Sequence, residues 1–136
     1  MKTETLKKIL DFLKQNENRN IPIAWKLVNN EPLREEELYL HKDVHLSGSK
    51  ITSLPEGLKV AGLLDLNSCT SLTSLPEGLE VSGIWLDLEN TSITSLPKGL
   101  KVYQDLYIAD TKLQKYTDEE LREMVKPGFI KGRIYR

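Results

Sequence analysis

Two series of residues recur at intervals of 20, 22 and 20 positions: Asp43, Leu63, Trp85 and Asp105, and His45, Asp65, Asp87 and Tyr107. Asn67 and Glu89 repeat the same 22-residue offset two positions further on. Carboxylates interspersed with a tryptophan, a tyrosine and a histidine suit the recognition of a protein surface, where aromatic side chains anchor and charges orient. If Asp65 and Asp87 stand side by side they repel each other, and a basic patch on a partner would relieve that cost. The plainer alternative is a solvated acidic face with Trp85 tucked into a local irregularity. Aspartates at this spacing could also hold a cation, but the chain has no calcium-loop pattern with its glycine and terminal glutamate.

Other chemistries find little support. There is no phosphate-binding glycine loop, no paired cysteines, no His-Glu-x-x-His and no nucleophile elbow. Gly48-Ser49-Lys50 lacks the upstream glycine that a P-loop needs, and Glu35, Glu36 and Glu37 read as a solvated surface rather than an acid–base pair. The single cysteine, Cys69, reads as a packed residue, since neither His41 nor His45 stands in a pattern that would activate it. No catalytic residue, metal ligand or cofactor is therefore expected. A net charge of −1 argues against a chain whose main task is to neutralise phosphates. Lys126, Lys131, Arg133 and Arg136 are spread widely enough to solvate an edge strand rather than grip nucleic acid. With no apolar run suited to a signal peptide or membrane span, the expectation is a cytoplasmic protein, monomeric on its own, and Asn90-Thr91-Ser92 reads as an ordinary repeat residue rather than a glycosylation acceptor.

What positions the candidate residues is an internal repeat. Thr52-Ser53-Leu54-Pro55-Glu56-Gly57-Leu58 returns at Thr73 and, with Lys98 in place of glutamate, at Thr94, each copy 21 residues after the last. A fixed period in this range with leucines at regular offsets signals stacked coils that share one core. Aligned on Val44-x-Leu46, Leu64-x-Leu66, Leu86-x-Leu88 and Leu106-x-Ile108, the coils predict about four parallel strands. Side chains alternate along a strand, so inward Leu64 and Leu66 leave Leu63, Asp65 and Asn67 on the solvent face, together with Asp43, His45, Trp85, Asp87, Glu89, Asp105 and Tyr107. Ser49, Cys69, Thr91 and Thr111 then turn inward to satisfy backbone groups as the chain leaves each strand. The Leu-Pro-x-Gly-Leu segment is the return side, with proline where no ladder bond is needed and glycine at a turn of positive φ. Ser71 and the Ile84-Trp85 spacing mark one-residue insertions.

The ends differ. Leu6, Ile9, Leu10, Phe12 and Leu13 fall at helical spacing, and residues 21–34 continue a cap in which Trp25 is the main buried candidate. After Leu113 the period fails, and Thr117 with Glu120 forms a capping box ahead of a helix whose Leu121, Met124 and Val125 face inward. Pro127-Gly128 stops that helix, and the alternating tail reads as an edge strand on the last coil.

The pattern Leu-Pro-x-Gly-Leu-x-Val-x-Gly-x-Leu-x-Leu-x-x-Thr-x-Ile resembles the leucine-rich repeats of bacterial and phage proteins across residues 38–113. The resemblance implies an α/β solenoid: a short leucine-rich repeat array with a helical N-terminal cap (1–37) and a helix-plus-tail C-terminal cap (114–136) in a single domain. It further implies a non-catalytic module that binds a partner protein through the concave strand face. In a phage setting the partner would be a host enzyme or defence component that the protein inhibits in the host cytoplasm, the alternative being a structural or assembly role.

Overall fold

The computed structural model describes residues 6–7 and 22–136. The amphipathic helix expected around Leu6–Leu13 thus lies outside the described residues, except for Leu6 and Lys7, which are helical. The first complete element is α1 (Ile23–Val28), which follows Pro22 and ends at Asn29. Leu27, 3 % exposed, is its buried residue, whereas Trp25, expected to be the main buried side chain, is only half-buried. Two residues along a helix turn the side chain about 200° around the axis, so when Leu27 meets the coils Trp25 faces away from them. A short 3-10 helix, Glu35–Leu38, leads into the first strand.

From there each turn of the chain contributes two short strands. They are β1 (Tyr39–Leu40) and β2 (Val44–His45), β3 (Lys59–Val60) and β4 (Leu64–Asp65), β5 (Glu80–Val81) and β6 (Trp85–Asp87), β7 (Lys101–Val102) and β8 (Asp105–Tyr107), and finally β9 (Phe129–Ile130) and β10 (Ile134–Tyr135). The odd-numbered strands make one five-stranded sheet, sheet A, and the even-numbered strands make another, sheet B. All neighbours pair in parallel. The result is a parallel β-solenoid. The return side carries a second strand where an α/β solenoid would carry a helix, and the described helices lie before the first coil or in the crossover between β8 and β9. The physical reason is local. Proline removes an amide donor and the glycine of each Leu-Pro-x-Gly-Leu turn sits at φ 82°, 76° or 77° (Gly57, Gly78, Gly99), so no helical run of useful length can form there.

The core lies between the two sheets. Each coil contributes a ring of apolar side chains, for example Leu58, Val60, Leu64, Leu66, Cys69 and Leu72, all at most 1 % exposed. Each fully buried leucine contributes roughly 1.5 to 3 kcal/mol. The chain leaves sheet B through a residue of positive φ in each of the first four coils: Gly48, Ser68, Asn90 and Asp110. The next residue then points inward. Thr91 and Thr111 donate from Oγ1 to the carbonyls of Leu88 (2.8 Å) and Ile108 (2.6 Å), Cys69 donates to Leu46 of the preceding coil (3.0 Å), and half-buried Ser49 lies 3.6 Å from the Cys69 sulfur.

The C-terminal segment does two jobs. Thr117 and Glu120 form the expected reciprocal capping box at the start of α2 (Asp118–Met124). Leu121 and Val125 are fully buried and Met124 packs against the core. The tail then makes both strands of a fifth coil, so Ile130 pairs with Val102 and Ile134 with Leu106. Arg122 of α2 donates to the carbonyls of Ile130 (3.2 Å) and Gly132 (2.8 Å), closing the outer edge of β9.

Candidate interaction face on sheet B

Strand register aligns the candidate residues. His45 pairs with Asp65, Asp65 with Asp87 and Asp87 with Tyr107, as their spacing predicts, and Tyr135 adds a fifth rung beyond Tyr107. In the neighbouring column Trp85 pairs with Asp105. The column is tied into the backbone at both ends: the Asp43 carboxylate accepts the Leu63 N–H and that of Asp105 accepts the Arg133 N–H, both at 2.9 Å. These two aspartates therefore tie the corner between the sheets in one coil to the same corner in the next.

Leu63 departs from its expected exposure. It is only 6 % exposed, although it points away from the core. Extending the β2–β4–β6 register by one residue places it between Asp43 and the large indole of Trp85, and side chains at directly opposed positions are close enough to cover one another. It is a floor beneath the face rather than a contact residue.

The remaining carboxylates are crowded. Asp65 and Asp87 each accept the backbone N–H two residues on, from Asn67 (3.0 Å) and Glu89 (2.9 Å). Asn67 Nδ2 donates to both Asp87 and Glu89 at 3.3 Å, bridging β4 and β6. His45 approaches Asp65 at 3.7 Å from an exposed position. No lysine or arginine side chain among the described residues forms an ion pair with Asp65, Asp87 or Glu89. Burial raises the Asp87 carboxyl above its ordinary range and the charge of Asp65 adds to that, outweighing the Glu89 N–H and Asn67 that pull it down. Glu89 is raised too, by burial and then by Asp87, Asp110 and Asp65.

Beside these carboxylates runs an aromatic ladder. Tyr107 and Tyr135 stack with centroids 4.7 Å apart and planes 13° from parallel, and Trp85 meets Tyr107 at 6.0 Å and 80°. Desolvation, the neighbouring Tyr135 and the carboxylates Asp105, Asp87 and Glu89 all raise the Tyr107 hydroxyl. Next to Trp85 is the insertion itself. Between Val81 and Leu86 lie Ser82, Gly83, Ile84 and Trp85, where other coils have three residues, and the surplus is absorbed by Ile84, which is 53 % exposed.

Tyr135 and Ile84 were not among the residues picked out by spacing. The tail nevertheless carries a usable signal: Ile130-x-Gly132-x-Ile134 matches Val60-x-Gly62-x-Leu64, so Tyr135 falls in the Asp65 position. The 28-residue step from Leu106 to Ile134, spent on α2, hides that match from a search at fixed period.

Elsewhere, Cys69 is buried, and no group of three or more His, Cys, Asp or Glu among the described residues is arranged to hold a metal ion. The basic tail is engaged with the protein: Lys126 pairs with Glu123 at 2.8 Å, Lys131 lies over Phe129 and Tyr103, and Arg136 binds Asp118 and the Gln114 carbonyl. No described helix is long and apolar enough to cross a membrane. No family model, curated protein or solved structure matches the chain.

Proposed function

We propose that the chain is a leucine-rich repeat protein of the bacterial and phage kind, a non-catalytic module that binds a partner protein through the outer face of sheet B. One observation carries this reading: Trp85, Tyr107 and Tyr135 stand on that face among Asp65, Asp87 and Glu89, carboxylates with no lysine or arginine partner among the described residues. Exposed aromatics supply contact area and unpaired charge supplies orientation, and together they favour a partner with a basic patch. In this reading Leu63 supports the face, Asp43 and Asp105 fix its corners, and His45, Asp65, Asn67, Trp85, Asp87, Glu89 and Tyr107 form the footprint with Tyr135.

The phage resemblance makes the partner a host enzyme or defence component, inhibited in the host cytoplasm. Affinity capture from a bacterial lysate with wild-type protein and with Trp85→Ala, Asp87→Lys and Tyr107→Ala combined tests the face. A specific partner lost from the triple variant supports it; the same partner recovered equally by both rejects it. Expression without effect on host growth or phage plating would count against inhibition. The assembly reading draws on the position of β10 at an end of sheet B. An open edge can accept a strand from another chain, and sedimentation showing only monomer at high concentration would remove self-assembly.

A further inference from the structure

The partner's chemistry can be read more closely from the aromatic ladder, and this step rests on the sheet B reading above. Tyr135 covers one face of the Tyr107 ring, on the β10 side. Because the two rings are within 13° of parallel, the opposite face of Tyr107 is turned along the sheet toward β6. Standing opposite Tyr107 on β6 is Asp87. Adjacent strands are about 4.8 Å apart, so a third plate continuing the Tyr135–Tyr107 stack would lie over the Asp87 carboxylate. Trp85 borders this place on one side and Glu89 on the other, each two residues from Asp87 and on the same face of the strand.

A plate that stacks on an aromatic ring, carries positive charge and meets carboxylates at its edge is a guanidinium. Ammonium is a compact point charge without a stacking plane, whereas guanidinium is planar, weakly hydrated and matched to carboxylates through its fork of N–H donors. We propose that the slot between Tyr107 and Asp87 takes an arginine side chain from an extended segment of the partner protein, stacked on Tyr107 and hydrogen-bonded to Asp87 and Glu89. The cation also relieves the repulsion between Asp87 and Asp65, which lie opposite each other in register. Further arginines at alternate positions of the segment would reach Asp65 along the same column.

The test is an NMR titration of the whole chain with blocked hexapeptides alternating serine with arginine, lysine or citrulline. The arginine peptide should shift the ring signals of Tyr107 and Trp85 and bind about tenfold tighter than the lysine peptide, a factor in keeping with the added ring contact. Citrulline, similar in shape but uncharged, should cause no shift. Tyr107→Leu and Asp87→Asn should each weaken the arginine peptide about tenfold while the chain still unfolds in a single cooperative melt, and Tyr107→Phe, which keeps the ring face, should bind like wild type. Equal binding of the lysine and arginine peptides, or full binding by Tyr107→Leu, overturns the proposal. If the arginine peptide leaves Tyr107 unshifted while partner capture still needs Trp85, Asp87 and Tyr107, the arginine slot is wrong and the face stands. If neither depends on these residues, both fall.

Discussion

The outer faces of the two sheets are built on the same coils and reach opposite electrostatic outcomes. On sheet A the central register runs Tyr39, Lys59, Glu80, Lys101 and Phe129, so opposite charges alternate. Lys101 pairs with Glu80 at 3.2 Å, and Lys131 settles over both Phe129 and Tyr103. On that face the one carboxylate of the register has a lysine partner. On sheet B the equivalent register runs His45, Asp65, Asp87, Tyr107 and Tyr135, and its carboxylates are held by backbone amides and Asn67 instead of by cations. Hydrogen bonds to amides fix the carboxylates in place, and among the described residues no lysine or arginine pairs with them. The coil backbone thus tolerates either arrangement, and the face proposed above for a partner is the one whose carboxylates are held by amides rather than by lysine or arginine among the described residues.

The comparison can be broken first by charge and ring removal. Combining Trp85→Ala, Asp87→Lys and Tyr107→Ala should reduce partner binding at least about a hundredfold, as expected when several interface anchors are lost together. Lys59→Ala with Glu80→Ala and Lys101→Ala on sheet A should change it less than about twofold, since exposed ion pairs contribute little; surface plasmon resonance against the captured partner measures both. A second break acts on the corner that joins the sheets. Gly83 packs so closely on the preceding coil that an added Cβ would lie 2.0 Å from the Gly62 carbonyl carbon. Gly83→Ala should cost about 3 kcal/mol in urea denaturation, because backbone rather than a flexible side chain must move.

Titration separates the regions further. Glu37 near the first coil is raised by burial, but Lys26 at 2.6 Å, the Arg34 N–H and the Arg34 side chain outweigh this and hold it at about 2. Its folded value lies below its ordinary 4.5, so its contribution is complete above about 4.5 and is lost as pH falls toward 2. Glu37→Gln should cost about 2 kcal/mol at neutral pH, leaving Lys26 without its carboxylate, with the loss shrinking on acidification through that window. Asp87 has the opposite sign. Its folded value is raised above the ordinary 3.8, so ionisation works against the folded state as pH rises through that folded value. Asp87→Asn, which still offers an oxygen to the Glu89 N–H, should therefore stabilise by about 0.5 kcal/mol at neutral pH, and the gain should vanish below about 3.8. Thermal melts across pH check both signs.

Period and leucine spacing alone determined that the chain forms stacked coils, that Leu64, Leu86 and Leu106 point inward, and that Asp65, Asp87 and Tyr107 share a column. These follow from the twofold alternation of a strand and a near-constant coil length, which are local properties. The capping box at Thr117 was legible for the same reason, since it spans four residues. Only the tertiary structure decided what depends on partners far apart in the chain. It placed both strands of a fifth coil in the tail and so set Tyr135 on Tyr107, across a 28-residue step. It buried Leu63 on an outward-facing position, left Trp25 only half-buried, and assigned Asp43 and Asp105 to backbone amides 20 and 28 residues ahead. Alternation says which way a side chain points; what covers it, and whether its charge finds a counterion, is settled by the neighbouring coils that pack beside it.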